Sequence, residues 1–403
     1  MKVVKKKKVG NSIEGSKAKK MLEKTLDTIL NAPAFTDPAA AYLANLEAIN
    51  SVHEEAPVTQ EQWELLYEVA KNIKAMAPWN FLHESEHINI LLPGRDEPIT
   101  IVVMGSGEMT FGIGIFPGYD ALRRLEKMME LELEEDGISA AFEQHCINLY
   151  FGNRDELETE DKNVIKKLGL KFRGKNEWPY FRSMKPGFMP WHINYDEAEL
   201  AIAALQNFAM AFLSYAKKEV EVDFDNGETL LRFYDSETEY WCNVAIKMPI
   251  APTVLPKLII SDEILTAKLK KKKKNRTKLG FALTYFPMPI QDNEKFRPKL
   301  SRIALLLDLK SGAIIDQALD TEFDSIENAV VNLITDYVEN NGRPASIAFS
   351  GEEARIHIED FATKIGVKLE ENEKLADVGN LLISVMESMM NSDLFDNLKD
   401  LFD

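Results

Sequence analysis

Cysteine is almost absent from these 403 residues, with Cys146 and Cys242 the only two. Two thiols flanked by strand-like apolar residues cannot build a disulfide framework, so a cross-linked secreted scaffold is excluded and buried, reduced thiols are expected. Long hydrophobic runs are missing too. No stretch reads as the roughly 20 consecutive apolar residues of a membrane helix, and the lysine-rich start is not followed by an apolar segment. No membrane partner and no secretory signal are therefore expected, and the protein is placed in the cytoplasm. Positive charge is in deficit: 48 Lys and Arg against 65 Asp and Glu leave a net charge of −17. Residues 279–403 carry 11 Lys and Arg against 23 Asp and Glu, 11 − 23 = −12. Such a surface repels phosphates, so nucleic acid is a disfavoured partner. No cofactor motif is present.

What is there suffices for ordinary cores, with 45% apolar residues in a length that suggests two or three domains. Residues 1–16 read as a disordered basic tail. Residues 17–58 read as a helical hairpin, with Met21, Leu22, Leu26, Ile29 and Leu30, then Tyr42, Leu43, Leu46 and Ile49, at helical intervals. Residues 59–250 read as an α+β module. Thr59 and Gln62 stand at capping-box spacing before a helix through Trp63, Leu66, Ala70 and Ile73. Strands are expected at 88–92, 100–104, 111–116, 147–151, 220–224, 230–234 and 240–246. Helices open at Gly118, Glu158 and Asn194, and the last is apolar almost throughout 200–213, which predicts burial on most sides.

Three stretches of this module hold candidate chemistry. Residues 83–87 read H-E-S-E-H, which fits both the zinc-peptidase pattern H-E-x-x-H and its inverse. That chemistry needs His83 and His87 on one helix face, Glu84 as base and a third ligand such as Glu108. Pro78 just upstream and the strand at 88–92 leave no room for the helix, so a loop leading into the strand is expected. The glycines at 105, 107, 112 and 114 sit in a hairpin with no following helix, unlike a dinucleotide loop. Finally, W178-P-Y-F-R-S-M-K-P-G-F-M-P-W191 is a stiff, aromatic-rich stretch. Trp178, Phe181 and Trp191 read either as a ligand groove with Arg182 as an anion contact or as a loop packed over the sheet, and the packed loop is preferred.

Residues 251–300 read as a connector carrying a lysine run, Lys268, Lys270, Lys271, Lys272, Lys273 and Lys274, with Arg276 and Lys278. It reads as a solvated linker or as a set of phosphate contacts, and without interleaved aromatics it offers no base stacking. Residues 301–390 then follow as strand, strand, helix, strand, helix, strand, which is α/β with parallel neighbours. Asp324 and Glu327 stand at capping-box spacing before the first helix of this module. Residues 391–403 repeat Leu394, Phe395, Leu398, Leu401 and Phe402 among aspartates, an acidic amphipathic tail suited to a protein partner.

This last module resembles the ribonuclease-H-like core of integrases and transposases. The resemblance implies an aspartate on the first strand before the hairpin and an acid at the end of the fourth, both holding divalent metals for phosphodiester chemistry. Asp308, in L-L-D-L-K-S-G-A-I-I, stands where the first would be, whereas Phe349, Ser350 and Gly351 stand where the second belongs. Glu352 reads as a first-turn acid of the next helix, and only Asp377 and Glu387 are left as a third acid. The order V103-M-G, W178-P, P-G, P-W191, then R-P, L-L-L-D and G-R-P is similar to a family of uncharacterised bacterial proteins, covering residue 60 onward. Together these readings point to a non-catalytic binding or interaction protein with a degenerate ribonuclease-H-like module. The alternatives are a nucleic-acid protein using Asp308 and the 268–278 run, and, more distantly, a zinc peptidase on His83, Glu84 and His87.

Overall fold

The computed structural model describes residues 56–107, 110–132, 142–250, 257–290, 297–320, 325–376 and 378–379. The basic tail, nearly all of the expected helical hairpin, Glu108, Asp324, Asp377, Glu387 and the acidic tail lie outside these residues. The chain gathers into two units, one drawn from Met1–Leu122, His145–Ser183 and Trp191–Ala251, the other from Arg123–Gln144, Met184–Pro190 and Pro252–Asp403.

In the first unit, short apolar runs form a seven-stranded sheet: β1 (Ile88–Leu91), β2 (Ile99–Met104), β3 (Phe111–Pro117), β4 (Cys146–Gly152), β5 (Trp178–Met184), β6 (Glu228–Asp235) and β7 (Tyr240–Lys247). Their order is β5-β4-β3-β2-β1-β6-β7. β1 runs parallel to β6, while the β1–β2, β2–β3, β3–β4 and β6–β7 pairs are antiparallel. The helices of this half are α1 (Gln60–Met76), α2 (Gly118–Glu132), α3 (Thr159–Lys167) and α4 (Tyr195–Ala216), with α2 shared between the units.

Helix α4 is the spine of the core. Asn194 accepts from Glu197 N–H, and the Glu197 carboxylate accepts from Asn194 N–H, closing the capping box that starts it. Alanines at 198, 201, 204, 209 and 211 are fully buried, keeping its surface low against Ile88, Ile90, Ile99, Ile101 and Leu230. Phe208 and Phe212 are buried in the same core, and removing either ring is worth about 3–5 kcal/mol. By length and composition α4 could cross a membrane, but 72% of its apolar window is buried inside the protein, as a core helix requires. Helix α1 packs beside it, and Gln62 Nε2 donates to Glu199 Oε1 at 2.7 Å.

The strand expected at 220–224 does not form. Val220 and Val222 pack on the first core, and the chain turns at Phe224–Asn226 onto Gly227, whose φ is +74°. Among the described residues no strand pairs with that segment, so its alternation produces no ladder. Of the two thiols, Cys146 is buried and Cys242 half-buried.

The second unit holds a five-stranded sheet built from β8 (Lys278–Ile290), β9 (Lys299–Asp308), β10 (Ile314–Leu319), β11 (Ser346–Phe349) and β12 (Lys368–Glu371). Its helices are α5 (Glu263–Lys270), α6 (Ile326–Asn341) and α7 (Gly351–Ile365). Counted from β8, the spatial order is third, second, first, fourth, fifth. β8–β9–β10 is an antiparallel meander, and β11 and β12 join β8 in parallel. Crossovers α6 and α7 cover one face over Leu279, Phe281, Leu306 and Ile347. This is a ribonuclease-H-like α/β arrangement.

The stretch expected as a connector therefore contains a helix and the central strand. Pro287 and Pro289 argue against a strand there, yet they fall at the far end of β8, Pro287 within an irregularity between Tyr285 and Pro289, and Leu279–Tyr285 pairs fully with β9. Helix α6 is capped by Ser325, whose hydroxyl accepts from Asn328 N–H, in place of the Asp324 spacing.

Candidate functional site

Counting from β8 changes the assignment of Asp308. It closes the second strand of the sheet, where its carboxylate accepts from Lys310 N–H at 2.9 Å and from the Ser311 hydroxyl at 3.0 Å. These bonds, that of Lys310 N–H first, hold it below the usual carboxylate range. Asp308 thus caps the β9–β10 turn. The true first strand, K-L-G-F-A-L-T-Y-F-P-M-P-I, carries no acidic residue. Where β8 and β11 lie side by side, Gly280 stands opposite Ala348. Ala282 and Ala348 belong to an apolar cluster with Ile303, Leu305, Leu307, Leu375 and Val378. A Cβ on Gly280 would meet Leu309 at 2.9 Å and Leu375 at 3.0 Å, so leucines fill this face down to the backbone. β11 ends at Phe349, Ser350 precedes α7, and Glu352 at the start of α7 is ion-paired with Arg355.

The 178–191 stretch is not a free loop. Trp178–Met184 is the edge strand β5, and Ser183 and Trp191 exchange backbone hydrogen bonds at 2.8 and 3.0 Å. Phe181 is buried in the first core against Trp63 and Tyr67, and Trp178 packs on Phe172, so neither lines an open groove. Residues 184–190 belong to the second unit, where Leu300 N–H donates to Gly187 O at 2.8 Å.

Arg182 is likewise committed. Only 6% exposed, it makes a fork with Asp161, itself 6% exposed, at 3.0 Å (Nη1–Oδ1) and 2.7 Å (Nη2–Oδ2). Nη2 also lies 3.2 Å from Glu158, and the guanidinium sits 4.9 Å from the Tyr180 ring centre. Burial pulls the Arg182 pKa down, but the Asp161 bonds and the Glu158 charge outweigh it, and the net shift is upward. Asp161 also accepts from Glu158 N–H at 2.9 Å, tying the start of α3 to β5.

On the solvent side of this pair, His192 Nε2 lies 2.9 Å from Glu158 and 3.8 Å from Glu160. Glu158, Glu160 and His192 offer ligand atoms within 4.8 Å of one another, the one such group among the described residues. The His192 hydrogen bond is the first cause of a lowered Glu158 pKa. Glu158 faces Arg182 with one oxygen and His192 with the other, so a divalent cation here would displace the imidazole bond beside a guanidinium, which opposes it. The cluster is a polar clasp between α3 and the chain after β5. Its sequence signal is the cap spacing of Glu158 and Asp161; His192 carries none.

The H-E-S-E-H stretch is a turn ahead of β1. Glu84 accepts from Gly105 N–H and Ser106 N–H, both at 3.1 Å, and from the Ser106 hydroxyl. Burial opposes its ionisation, but these bonds outweigh it and leave Glu84 below the usual carboxylate value. His83 is exposed, while His87 is buried, and burial lowers its pKa. The presumed base is thus a cap on the β2–β3 turn, and the two histidines share no helix face.

The lysine run ends α5 and ties it to the end of α6. Lys268 pairs with Glu339, Lys272 Nζ donates to Glu339 O at 3.0 Å, and Arg343 Nε donates to Lys272 O at 3.0 Å. Lys270, Lys271, Lys273 and Lys274 remain exposed.

Among solved structures, the chain is similar to part of the simian T-cell lymphotropic virus intasome in complex with PP2A regulatory subunit B56 gamma, at 15% identity and a TM-score of 0.20, over 33% of this chain and 50% of that one. It is also similar to the HTLV-2 integrase catalytic core domain in complex with magnesium, at 14% identity and a TM-score of 0.20, over 32% of this chain and 85% of that one. The chain thus spans half of the first relative's length. No curated protein matches. Two family models do: residues 63–232 match a domain of unknown function (DUF7309) and residues 265–386 match another (DUF6930), so the chain joins two domains of unknown function.

Proposed function

We propose that this is a non-catalytic binding protein whose second domain keeps a ribonuclease-H-like frame without its metal-holding carboxylates. The observation that carries the reading is the composition of β8, which has no acidic residue, together with Ala282, Ala348 and Leu375 on the adjoining face. Two-metal phosphodiester chemistry needs converging carboxylates; leucine and alanine methyls supply none. In support of protein contacts, β10 is an edge strand with Ile314, Ile315 and Leu319 exposed, a row open to strand addition.

The test is incubation of the full chain with DNA and RNA oligonucleotides in magnesium or manganese, beside calorimetric titration of both ions. No cleavage and no saturable ion binding are expected; cleavage that disappears in Asp308→Ala would sink the reading. Fluorescence polarisation with labelled oligonucleotides addresses the nucleic-acid alternative. Tight binding that falls steeply with salt and is lost when Lys270–Lys274 become glutamine would replace the proposal.

A further inference from the structure

The two edges of the seven-stranded sheet differ. β5 carries Pro179 and is bridged to Trp191 through Ser183. β7, at the other end, pairs with β6 along Tyr240–Lys247 without a bulge. From Tyr240 to Ile246 it has no charge, no proline and no glycine. Sheet edges are normally guarded by a charge, a proline or a bulge that stops another strand from adding. β7 has none of these before Lys247.

The direction of its free backbone groups follows from one bond. Met248 N–H donates to Gly227 O at 3.0 Å, so Met248 and the even positions before it turn their N–H and C=O toward β6. Trp241, Asn243, Ala245 and Lys247 therefore turn theirs outward, and no strand among the described residues pairs with them. Side chains alternate as well. Trp241 and Asn243 lie on the α4 side, where Trp241 packs on the first core and Asn243 Nδ2 donates to Ser214 Oγ at 3.0 Å. Tyr240, Cys242, Val244 and Ile246 share the other face, with Tyr240 73% and Val244 37% exposed.

A second copy of β7 is the strand that fits this edge. Antiparallel pairing about a twofold axis at Asn243 sets Asn243 opposite itself and Trp241 opposite Ala245, so that their outward groups meet as hydrogen-bonded pairs. It also sets Cys242 opposite Val244 and Tyr240 opposite Ile246, the latter an aromatic and β-branched pair that occurs twice. At each end Lys247 of one copy comes beside Glu239 of the other, and neither has an ion-pair partner among the described residues. Centring on Cys242 would instead oppose the two thiols, and centring on Val244 would set Lys247 against Trp241. We infer that two copies of this protein join antiparallel along β7, with Asn243 at the twofold axis, to form one sheet continuous across the dimer. This surface lies in the first unit and does not rest on the reading of the second domain.

Sedimentation velocity on the full chain over a concentration series tests this. The wild type should pass from monomer to dimer as concentration rises. Ala245→Pro removes an outward N–H and leaves the bonds to β6, while Val244→Lys puts a cation into the shared ladder. Each should weaken dimerisation at least about tenfold, and an unchanged urea midpoint by tryptophan fluorescence reports that the fold is intact. Glu239→Lys should weaken the dimer as well, and adding Lys247→Glu should restore it. Under mild oxidation Val244→Cys should form an intermolecular disulfide with Cys242, whereas the wild type should not cross-link. A protein that stays monomeric at every concentration would overturn the inference. So would a dimer that survives both Ala245→Pro and Val244→Lys, or wild-type cross-linking through Cys242 itself.

Discussion

Arg182 gives a prediction with an internal control, because one guanidinium meets two carboxylates in different surroundings. Asp161 is buried with it, whereas the Glu158 side chain is 47% exposed. In Asp161→Asn the shape and the cap to Glu158 N–H are kept, but a buried cation loses its fork. Breaking a buried pair from one side costs about 3–5 kcal/mol, and because Glu158 still stands at 3.2 Å the lower end, about 3 kcal/mol, applies. Glu158→Gln removes a partly solvated partner and should cost no more than about 1 kcal/mol. Asp161→Asn with Arg182→Met removes the stranded charge and should recover most of the loss. All five tryptophans, Trp63, Trp79, Trp178, Trp191 and Trp241, lie in the first unit, so their fluorescence in a urea titration reports that unit by itself. With an m-value of about 2 kcal/mol/M, Asp161→Asn should lower the midpoint by about 1.5 M. A fall no larger than that of Glu158→Gln, or a double variant less stable than the single one, would refute the reasoning.

Three further outcomes are expected. The bonds that depress the Glu84 pKa stabilise the first unit above the unfolded value of 4.5, and this contribution is lost as pH falls through the folded value. Glu84→Gln should therefore lower the urea midpoint at neutral pH, with the gap to wild type closing in acid. Gly105→Ala must hold a φ of +126° and bring a Cβ to 2.7 Å from Phe111, which should cost at least about 1–3 kcal/mol in the same titration. Ala348→Asp buries a carboxylate with no cation in its apolar cluster, and several kcal/mol of destabilisation should show as an early loss of near-ultraviolet circular dichroism.

The elements that were legible are those whose signal is local. The capping boxes of α1 and α4, the β2–β3 hairpin and the buried, nearly all-apolar α4 depend on neighbours a few residues away, and Thr59 with Gln62 and Asn194 with Glu197 form as their spacing implied. The strand–helix alternation after residue 301 was legible for the same reason. β8 was not, because its prolines sit at one end while its pairing partners β9 and β11 lie further along the chain.

The sequence by itself determined the segments whose signal is local, among them the capped helices α1 and α4 and the strand–helix alternation after residue 301, since composition and periodicity are properties of the chain alone; that 278–290 is the central strand of the second sheet was decided by its pairing with β9 and β11. Only the tertiary structure decided what the conspicuous residues do. Arg182 as a buried ion-pair partner, Glu84 as a turn cap, Asp308 on the second strand opposite Leu279 and the clasp of Glu158 with His192 all depend on contacts between residues distant in sequence. A charged side chain carries its chemistry with it, but whether that chemistry faces a ligand or a neighbour is set by burial and by which partner reaches it first.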